Sequence, residues 1–420
     1  MTLRVTIDHI GAGGDGVAYH AGEAVYTPFA VEGDEVEIKL SGKKGRITHI
    51  HSASPDRTAP ICKHFGRCGG CSLQHVTAEY YTRWKQQQVR IAMSHRGFED
   101  ANILPVEISP KGSRRRATFA VMGQGQGNAV IGFSERASHM TINILECPVM
   151  EPKIVAFLAP LRKFLGGQLK KRQKMKVQIN LADNGLDVIL ETAGEPDLDL
   201  RMDIAAFAEM QDIARICWLD TKLKKPSHEI LCERRKPSVT FAGRQVFPPP
   251  GAFLQATRQG EAALSHYMKE ALKDVGKVAD IFAGCGTFTM ALIGDHAVHA
   301  VDGNLKMVTA LKNSAHQMGK IRALTTEVRD LFLRPLLPHE LKKYDGLVLD
   351  PPRAGAKDQV EEIINASVES LVMISCNPAT FARDARALVD AGFIMGDILP
   401  VDQFLYSPHI EVIAEFKRRP

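Results

Sequence analysis

The chain has 420 residues, 45% of them hydrophobic and 24% charged, with a formal net charge of +5. That composition excludes a disordered, collagen-like or disulfide-scaffold protein, and the length predicts two or three domains. No uninterrupted apolar stretch is long enough to span a bilayer, and the amino terminus lacks the basic flank and apolar run of a signal peptide. The expectation is a cytoplasmic protein with no membrane partner and no obligate protein partner.

Taken in chain order, the first 55 residues read as short strands: Leu3–Ile7, Gly16–Tyr19, Glu23–Pro28, Asp34–Leu40 and Arg46–His51. Glycine-rich turns such as Gly11-Ala-Gly-Gly-Asp-Gly16 separate them, a pattern that predicts a small OB-type barrel able to bind oligonucleotides on one face. The turn before Gly16-Val-Ala18 and the later Val31-Glu-Gly-Asp34 also resemble the TRAM domain of RNA-modification enzymes. Pro55 to Pro60 reads as a linker, Thr77–His95 as a helix, and Lys176–Glu191 as a hairpin turning at Asn184-Gly185. A break at Val246-Phe-Pro-Pro-Pro250 precedes a change of pattern. Beyond it, strand-like Val278–Phe282, Val298–Val301, Gly346–Leu349 and Leu371–Ser375 alternate with helical Arg258–Lys273, Leu305–Met318, Gln359–Ala366 and Thr380–Ala391. Alternation of this kind predicts a parallel, Rossmann-like α/β sheet. The expected division is a barrel over 1–57, a central α+β domain over 58–250 and an α/β domain over 251–420.

Four basic clusters fall between residues 114 and 236: Arg114–Arg116, Lys170–Arg172 with Lys174 and Lys176, Lys222 with Lys224 and Lys225, and Arg234–Lys236. Clustered cations suit a polyanion, because each phosphate neutralised releases counterions. Eight cysteines without a secretory signal argue for metal binding or catalysis rather than disulfides. Cys62, Cys68 and Cys71 lie within one glycine-bearing segment, and Cys147, before Pro148, is the best fourth partner. Thiolates select zinc or an iron–sulfur cluster, and spacing does not decide between them.

Asp280-Ile-Phe282-Ala-Gly284-Cys-Gly286-Thr287 is a strand entering a glycine turn and then a helix, where a ligand can approach bare backbone and unpaired amides. Thr289 stands where a dinucleotide fold carries its third glycine, and Cys285 reads as a packing residue. Asp302 ends the next strand, a position suited to ribose hydroxyls, and Asp330 ends the one after. Asp350-Pro-Pro-Arg353, Ser375-Cys376-Asn-Pro378 and His409-Ile-Glu411 then bring two carboxylates and a thiol to the strand ends.

This ordered set resembles the uracil-5 RNA methyltransferases whose central domain holds a 4Fe–4S cluster. Cys62-x5-Cys68-Gly-Gly-Cys71 followed by Ser72-Leu-Gln-His75 matches their cluster motif, and Gly132-Phe-Ser134…Ser138…Ile144-Leu-Glu-Cys147-Pro148 matches the stretch carrying the fourth cysteine. Phe253-Leu-Gln255-Ala-Thr257 is similar to their Phe-x-Gln-x-Asn motif, with Thr257 replacing the asparagine. The resemblance implies an iron–sulfur cluster on Cys62, Cys68, Cys71 and Cys147. It implies S-adenosylmethionine bound by Gln255, Phe282, Thr287, Asp302, Asp330 and Asp350, with some members carrying asparagine at the Thr287 position. It makes Cys376 the nucleophile and Glu411 the general base. C5 of uracil is too weak a nucleophile to take a methyl group unaided, so a thiolate adding to C6 is the chemistry such a cysteine would serve. The implied partner is RNA, with 23S ribosomal RNA favoured because relatives bearing both barrel and cluster mostly act on it; a tRNA uridine is the alternative. Two rivals remain: amino methylation, which wants an aromatic residue where this chain has Arg353, and an RNA-binding iron–sulfur sensor with a degenerate methyltransferase fold.

Overall fold

The computed structural model describes residues 1–136, 138, 140–316 and 323–419. Alternation of apolar and polar residues produces the N-terminal strands Thr2–Thr6, His9–Ile10, Asp15–His20, Glu23–Pro28, Glu35–Ser41 and Lys44–Ser52. They form one sheet whose end strands, Thr2–Thr6 and His9–Ile10, are not paired with each other. The unit is therefore a curled half-barrel rather than a closed one, wrapped around Val5, Ile7, Ala18, Val25, Val36 and Ile38. Gly16 lets the curl close down, since a Cβ there would lie 2.7 Å from the Cβ of Ala30.

A seven-stranded sheet follows, in the spatial order Thr141–Asn143, Asn128–Ser134, Arg116–Gly125, Lys174–Ala182, Gly185–Thr192, Arg215–Asp220 and Glu229–Glu233. Its hairpin turns on Asp183 and Asn184, because Ala182 pairs with Gly185. Phe119, Val121, Val177 and Ile179 face the core beneath helices Pro152–Gln168 and Leu198–Met210. Strand alternation sends Arg116, Thr118, Gln178 and Asn180 to the opposite face.

The C-terminal sheet runs Leu324–Val328, Ala297–Asp302, Lys277–Ile281, Gly346–Leu349, Ser370–Ser375, Glu411–Arg418, Leu399–Asp402 and Glu107–Ile108, with Phe393–Met395 pairing off Glu411–Arg418. The first five are mutually parallel and Glu411–Arg418 is antiparallel. Of the helical stretch expected over Leu305–Met318, Leu305–His316 is helical and the last two positions lie outside the described residues. The order in which strands are added switches sides between Lys277–Ile281 and Gly346–Leu349, which stay parallel, and open α/β sheets bind ligands at such a point.

Two elements from early in the chain are built into this C-terminal unit. Helix Ala78–Ser94, capped by Thr77, buries Val89 and Met93 among Leu347, Leu371, Leu388 and Phe416, and Glu107–Ile108 adds a strand to the sheet. The helix also carries Lys85, fully buried, whose Nζ donates to Asp402 Oδ1 at 3.0 Å and to the carbonyl of His409. Tyr81 donates to the other oxygen of Asp402. From the cysteine segment, the amides of Ser72 and Leu73 donate to the Tyr406 carbonyl at 2.8 and 3.1 Å. The 402–410 loop is thus held at both ends and in the middle, just before Glu411. Among the described residues no helix is long and apolar enough to cross a membrane.

Candidate active site

Residues after Lys277–Ile281 turn sharply: Phe282, Gly284 and Gly286 have φ of 68°, 57° and 96°. Gly286 is also required by packing, since its Cβ would meet Leu311 Cδ1 at 2.4 Å. Asp302 holds this turn, accepting from the Gly284 amide at 2.9 Å through Oδ2 and from the Asn304 amide at 2.7 Å through Oδ1. Asp330 accepts from the amides of Phe332 and Leu333, so it shapes the next turn. That turn sets the Phe332 ring 5.4 Å from the Phe282 ring. A cavity of about 180 Å³ lies between Phe282, Leu331, Phe332 and the segment Ala354–Gln359. Phe332 escaped the sequence reading because nothing local marks a half-exposed phenylalanine after Asp330 as a wall of this slot.

Thr287 begins the short helix Thr287–Leu292 and is half-buried. Beneath it Asp280 is fully buried; Thr289 donates to its Oδ2, while Oδ1 has no partner. Burial, opposed by the Thr289 hydrogen bonds, pushes the Asp280 carboxyl up to about 6. Gln255 is buried and accepts from Gln403 Nε2 at 2.8 Å. Thr257, where the motif has asparagine, caps helix Arg258–Ala271 by accepting from the Gly260 amide at 3.1 Å.

The thiol and carboxylates converge one strand further along. In Ser375-Cys376-Asn-Pro378, Asn377 caps helix Pro378–Asp390 and Ser375 Oγ accepts from the Asn377 amide at 3.2 Å. Cys376 is left half-buried on a turn whose polar neighbours are tied to backbone. Asp350 follows the adjacent strand Gly346–Leu349. Glu411 opens the strand on the other side and is only 4% exposed, so it is a core carboxyl rather than an edge one. Burial pushes Asp350 up to about 7, helped by Asp280, and Glu411 up to about 8, helped by Asp350 and opposed by Arg116. Burial and then the charges of Glu411 and Asp350 push Cys376 up to about 11. Each charge raises its neighbour, so the three groups share one electrostatic site.

Beside this cluster a cleft of about 690 Å³ opens between the cysteine segment, the open face of the central sheet and the 402–410 loop. Cys62, Cys68, Cys71 and Cys147 all line it. Burial raises the thiols of Cys68 and Cys147, and that of Cys71 to about 12, with neighbouring thiols adding to each effect. Among the described residues, no three metal-ligating groups are drawn closely enough together to hold one ion.

The Arg114–Arg116 cluster is engaged within the protein rather than presented as a free basic face for a polyanion. Arg115 is 1% exposed, donating to the Gln255 carbonyl at 2.9 Å and paired with Glu261. Arg116 lies 4.1 Å over the Phe253 ring, and Arg114 packs on Phe404. These side chains clamp the central sheet to the C-terminal unit. Lys170–Arg172 and Lys222–Lys225 do face solvent, while Arg234 and Arg235 share Asp212.

A family profile described as tRNA (Uracil-5-)-methyltransferase matches residues 266–419. An uncharacterized RNA methyltransferase of Caulobacter vibrioides is 40% identical over 99% of each chain. A 23S rRNA (uracil(1939)-C(5))-methyltransferase of Halomonas elongata is 31% identical over 97% of this chain and 88% of its own. The chain belongs to the class I S-adenosylmethionine-dependent RNA uracil-5 methyltransferases. It is thus an S-adenosylmethionine-dependent RNA (uracil-5-)-methyltransferase. The fold of this methyltransferase extends over the whole molecule: a tRNA (uracil-54, C5)-methyltransferase of Pyrococcus abyssi superposes with a TM-score of 0.77, covering 98% of this chain and 99% of its own, at 22% identity.

Proposed function

We propose that this methyltransferase acts through a covalent adduct between Cys376 and C6 of the target uracil, with Glu411 as the base that removes the C5 proton. The observation carrying this reading is the shared electrostatic site of Cys376, Glu411 and Asp350 at the ends of three neighbouring strands. S-adenosylmethionine supplies an electrophilic methyl group on a sulfonium cation. The crevice suits a cation: the charge of Asp280 raises Asp350 and that of Asp350 raises Glu411, with Arg116 the opposing cation at Glu411. In this reading Phe282 and the turn shaped by Asp330 flank the adenine, Asp302 keeps the glycine turn open, and Gln255, Thr287 and Asp350 complete the cofactor side.

The bonds then balance as follows. The thiol of Cys376 gives its proton to solvent water as sulfur bonds to C6, and the C5–C6 pair moves into an enolate. C5 takes the methyl group as the S–CH3 bond breaks and S-adenosylhomocysteine leaves with the electron pair; Glu411 then accepts the C5 proton, and the C6–S bond breaks to restore the C5–C6 double bond and the thiolate. A flipped or looped-out uridine is required, because a stacked base hides this face.

The same proposal places a 4Fe–4S cluster on Cys62, Cys68, Cys71 and Cys147. Four sulfurs of one ligand type lining one cleft support it, and no step of methyl transfer passes through the cluster. The N-terminal half-barrel is proposed as a TRAM-like RNA contact. The expected preference for 23S ribosomal RNA is not carried forward. The matching profile is named for tRNA enzymes and the whole-chain fold is that of a tRNA enzyme, while the 23S rRNA enzyme is one relative among those compared. Transfer RNA is supported at least as well. The test is methylation of RNA from a strain lacking the gene, using methyl-labelled S-adenosylmethionine. Label should enter 5-methyluridine in one RNA fraction, and Cys376→Ala should abolish it; label in an N-methylated nucleoside overturns the reading.

A further inference from the structure

Asn180 is 4% exposed and lines the cleft between the central sheet and the C-terminal unit. Its Nδ2 donates to the Ala252 carbonyl at 3.3 Å. This bond sets the orientation of the amide, because the flipped amide would face one oxygen with another. Oδ1 is consequently buried without a partner. An unpartnered amide oxygen in a dry site is costly, so a donor is expected from outside the protein when the site is in use. On the neighbouring strand Asn180 pairs directly with Arg116, and the next pair on the same face is Gln178 with Thr118, all four lining the cleft. Phe253 forms the facing wall; Arg116 covers one face of its ring, yet the residue is 52% exposed and so offers aromatic surface of the kind on which nucleobases stack. Arg116 joins this cleft to the reacting groups, since it lines the cleft and its charge acts on Glu411. Cys376, Glu411 and Asp350 themselves do not line it.

We propose that Asn180 is a specificity-determining residue whose Oδ1 accepts a hydrogen bond from an amino or ring N–H group of a nucleobase adjacent to the methylated uridine, seated in this cleft. This inference rests on the proposed RNA uracil-5 chemistry. The base in the cleft is a neighbour rather than the target because the cleft abuts the thiol–carboxylate cluster without including it. An acceptor reads adenine N6, cytosine N4, guanine N1 or N2, or uracil N3, and rejects an edge that offers no donor.

The experiment uses the shortest RNA fragment that the full-length enzyme methylates. Each nucleotide beside the target is replaced in turn by an analogue lacking its donor: purine riboside for adenosine, inosine (no N2 amino) and separately 2-aminopurine riboside (no N1–H) for guanosine, pyrimidin-2-one riboside for cytidine, and N3-methyluridine for uridine. With the wild-type enzyme, one position should raise KM roughly tenfold with kcat little changed. In Asn180→Ala the same replacement should cost nothing further, the non-additivity expected of a direct pair. The proposal is overturned if no neighbouring position shows the penalty with wild-type enzyme, a result independent of how well the variant folds. It is overturned equally if Asn180→Ala keeps the full penalty, which would leave Oδ1 to a buried water. Failure of the wild-type enzyme to make 5-methyluridine in any RNA instead removes the functional reading beneath it.

Discussion

Cys376 sits where its own ionisation is opposed, with the carboxyls of Glu411 and Asp350 nearby and a thiol pushed up to about 11. Glu411, pushed up to about 8, is mostly protonated at neutral pH before any cation binds. Its unfolded value is near ~4.3, so the folded protein binds the extra proton between the two values and loses stability as pH rises from about 4.5 to about 8. Glu411→Gln removes that cost, and should be more stable than wild type at pH 8.5 by roughly 1–3 kcal/mol, read as a higher Tm, while losing turnover. Equal melting of the two at that pH contradicts the burial argument. Activity carries the opposite sign: kcat/KM should rise with pH towards a plateau above about 8, since the base must be ionised to take the C5 proton. Saturating S-adenosylmethionine brings a positive charge near Asp350 and Glu411, so the midpoint read from kcat should fall below that read from kcat/KM. At this scale Cys376, Asp350 and Glu411 were legible because each stands in a short distinctive motif. Arg116, Asp280 and Phe332 were not, because their role comes from which distant residue they meet; Arg116 meets Phe253 across the junction of two sheets.

Elements explain which backbone positions are tied to the cofactor turn. Gly286 and Gly392 have nearly equal φ, 96° and 95°, but a Cβ at Gly286 strikes Leu311 while one at Gly392 meets nothing within 4 Å. Alanine at either position should cost about 1 kcal/mol of backbone strain. Only Gly286→Ala should also weaken S-adenosylmethionine binding, by at least about tenfold in a calorimetric titration. Equal Kd values for both variants would detach that turn from the cofactor. Helix Ala78–Ser94 offers a second case. Lys85→Met leaves Asp402 buried without its cation, a change worth ~3–5 kcal/mol that should show as a clear fall in Tm. The N-terminal strands, helix Ala78–Ser94, the hairpin and the alternation of the parallel sheet were readable from periodicity and caps, whereas helices Pro152–Gln168 and Leu198–Met210 and the other strands of the central sheet were not. What periodicity could not disclose was that Ala78–Ser94 and Glu107–Ile108 join a sheet formed mainly after residue 277, since Lys85 and Asp402 are 317 residues apart in sequence.

In the whole molecule, the cysteine segment, the central sheet and the C-terminal unit meet at one cleft, and the four clustered cysteines face the same space as Phe253 and His409. Their early recognition as a group came from spacing, whereas the convergence of Cys147 on the Cys62–Cys71 segment needs the central sheet to fold. Protein purified without oxygen should carry about four irons with matching sulfide, and Cys68→Ser should lose both; zinc in their place contradicts the assignment. The basic clusters sort differently from their common appearance, since Arg114–Arg116 clamp the interior while Lys170–Arg172 and Lys222–Lys225 face solvent. Neutralising the exposed lysines should weaken RNA binding and flatten its salt dependence, leaving cofactor affinity unchanged. The covalent role of Cys376 is tested most directly with the methylated RNA carrying 5-fluorouridine at the target position, where no C5 proton can be removed. With S-adenosylmethionine present, a denaturation-resistant protein–RNA adduct should form, and Cys376→Ser should not form it. Normal turnover of the natural RNA by Cys376→Ser, or a wild-type enzyme that methylates that RNA yet never traps the fluorinated one, would contradict the account.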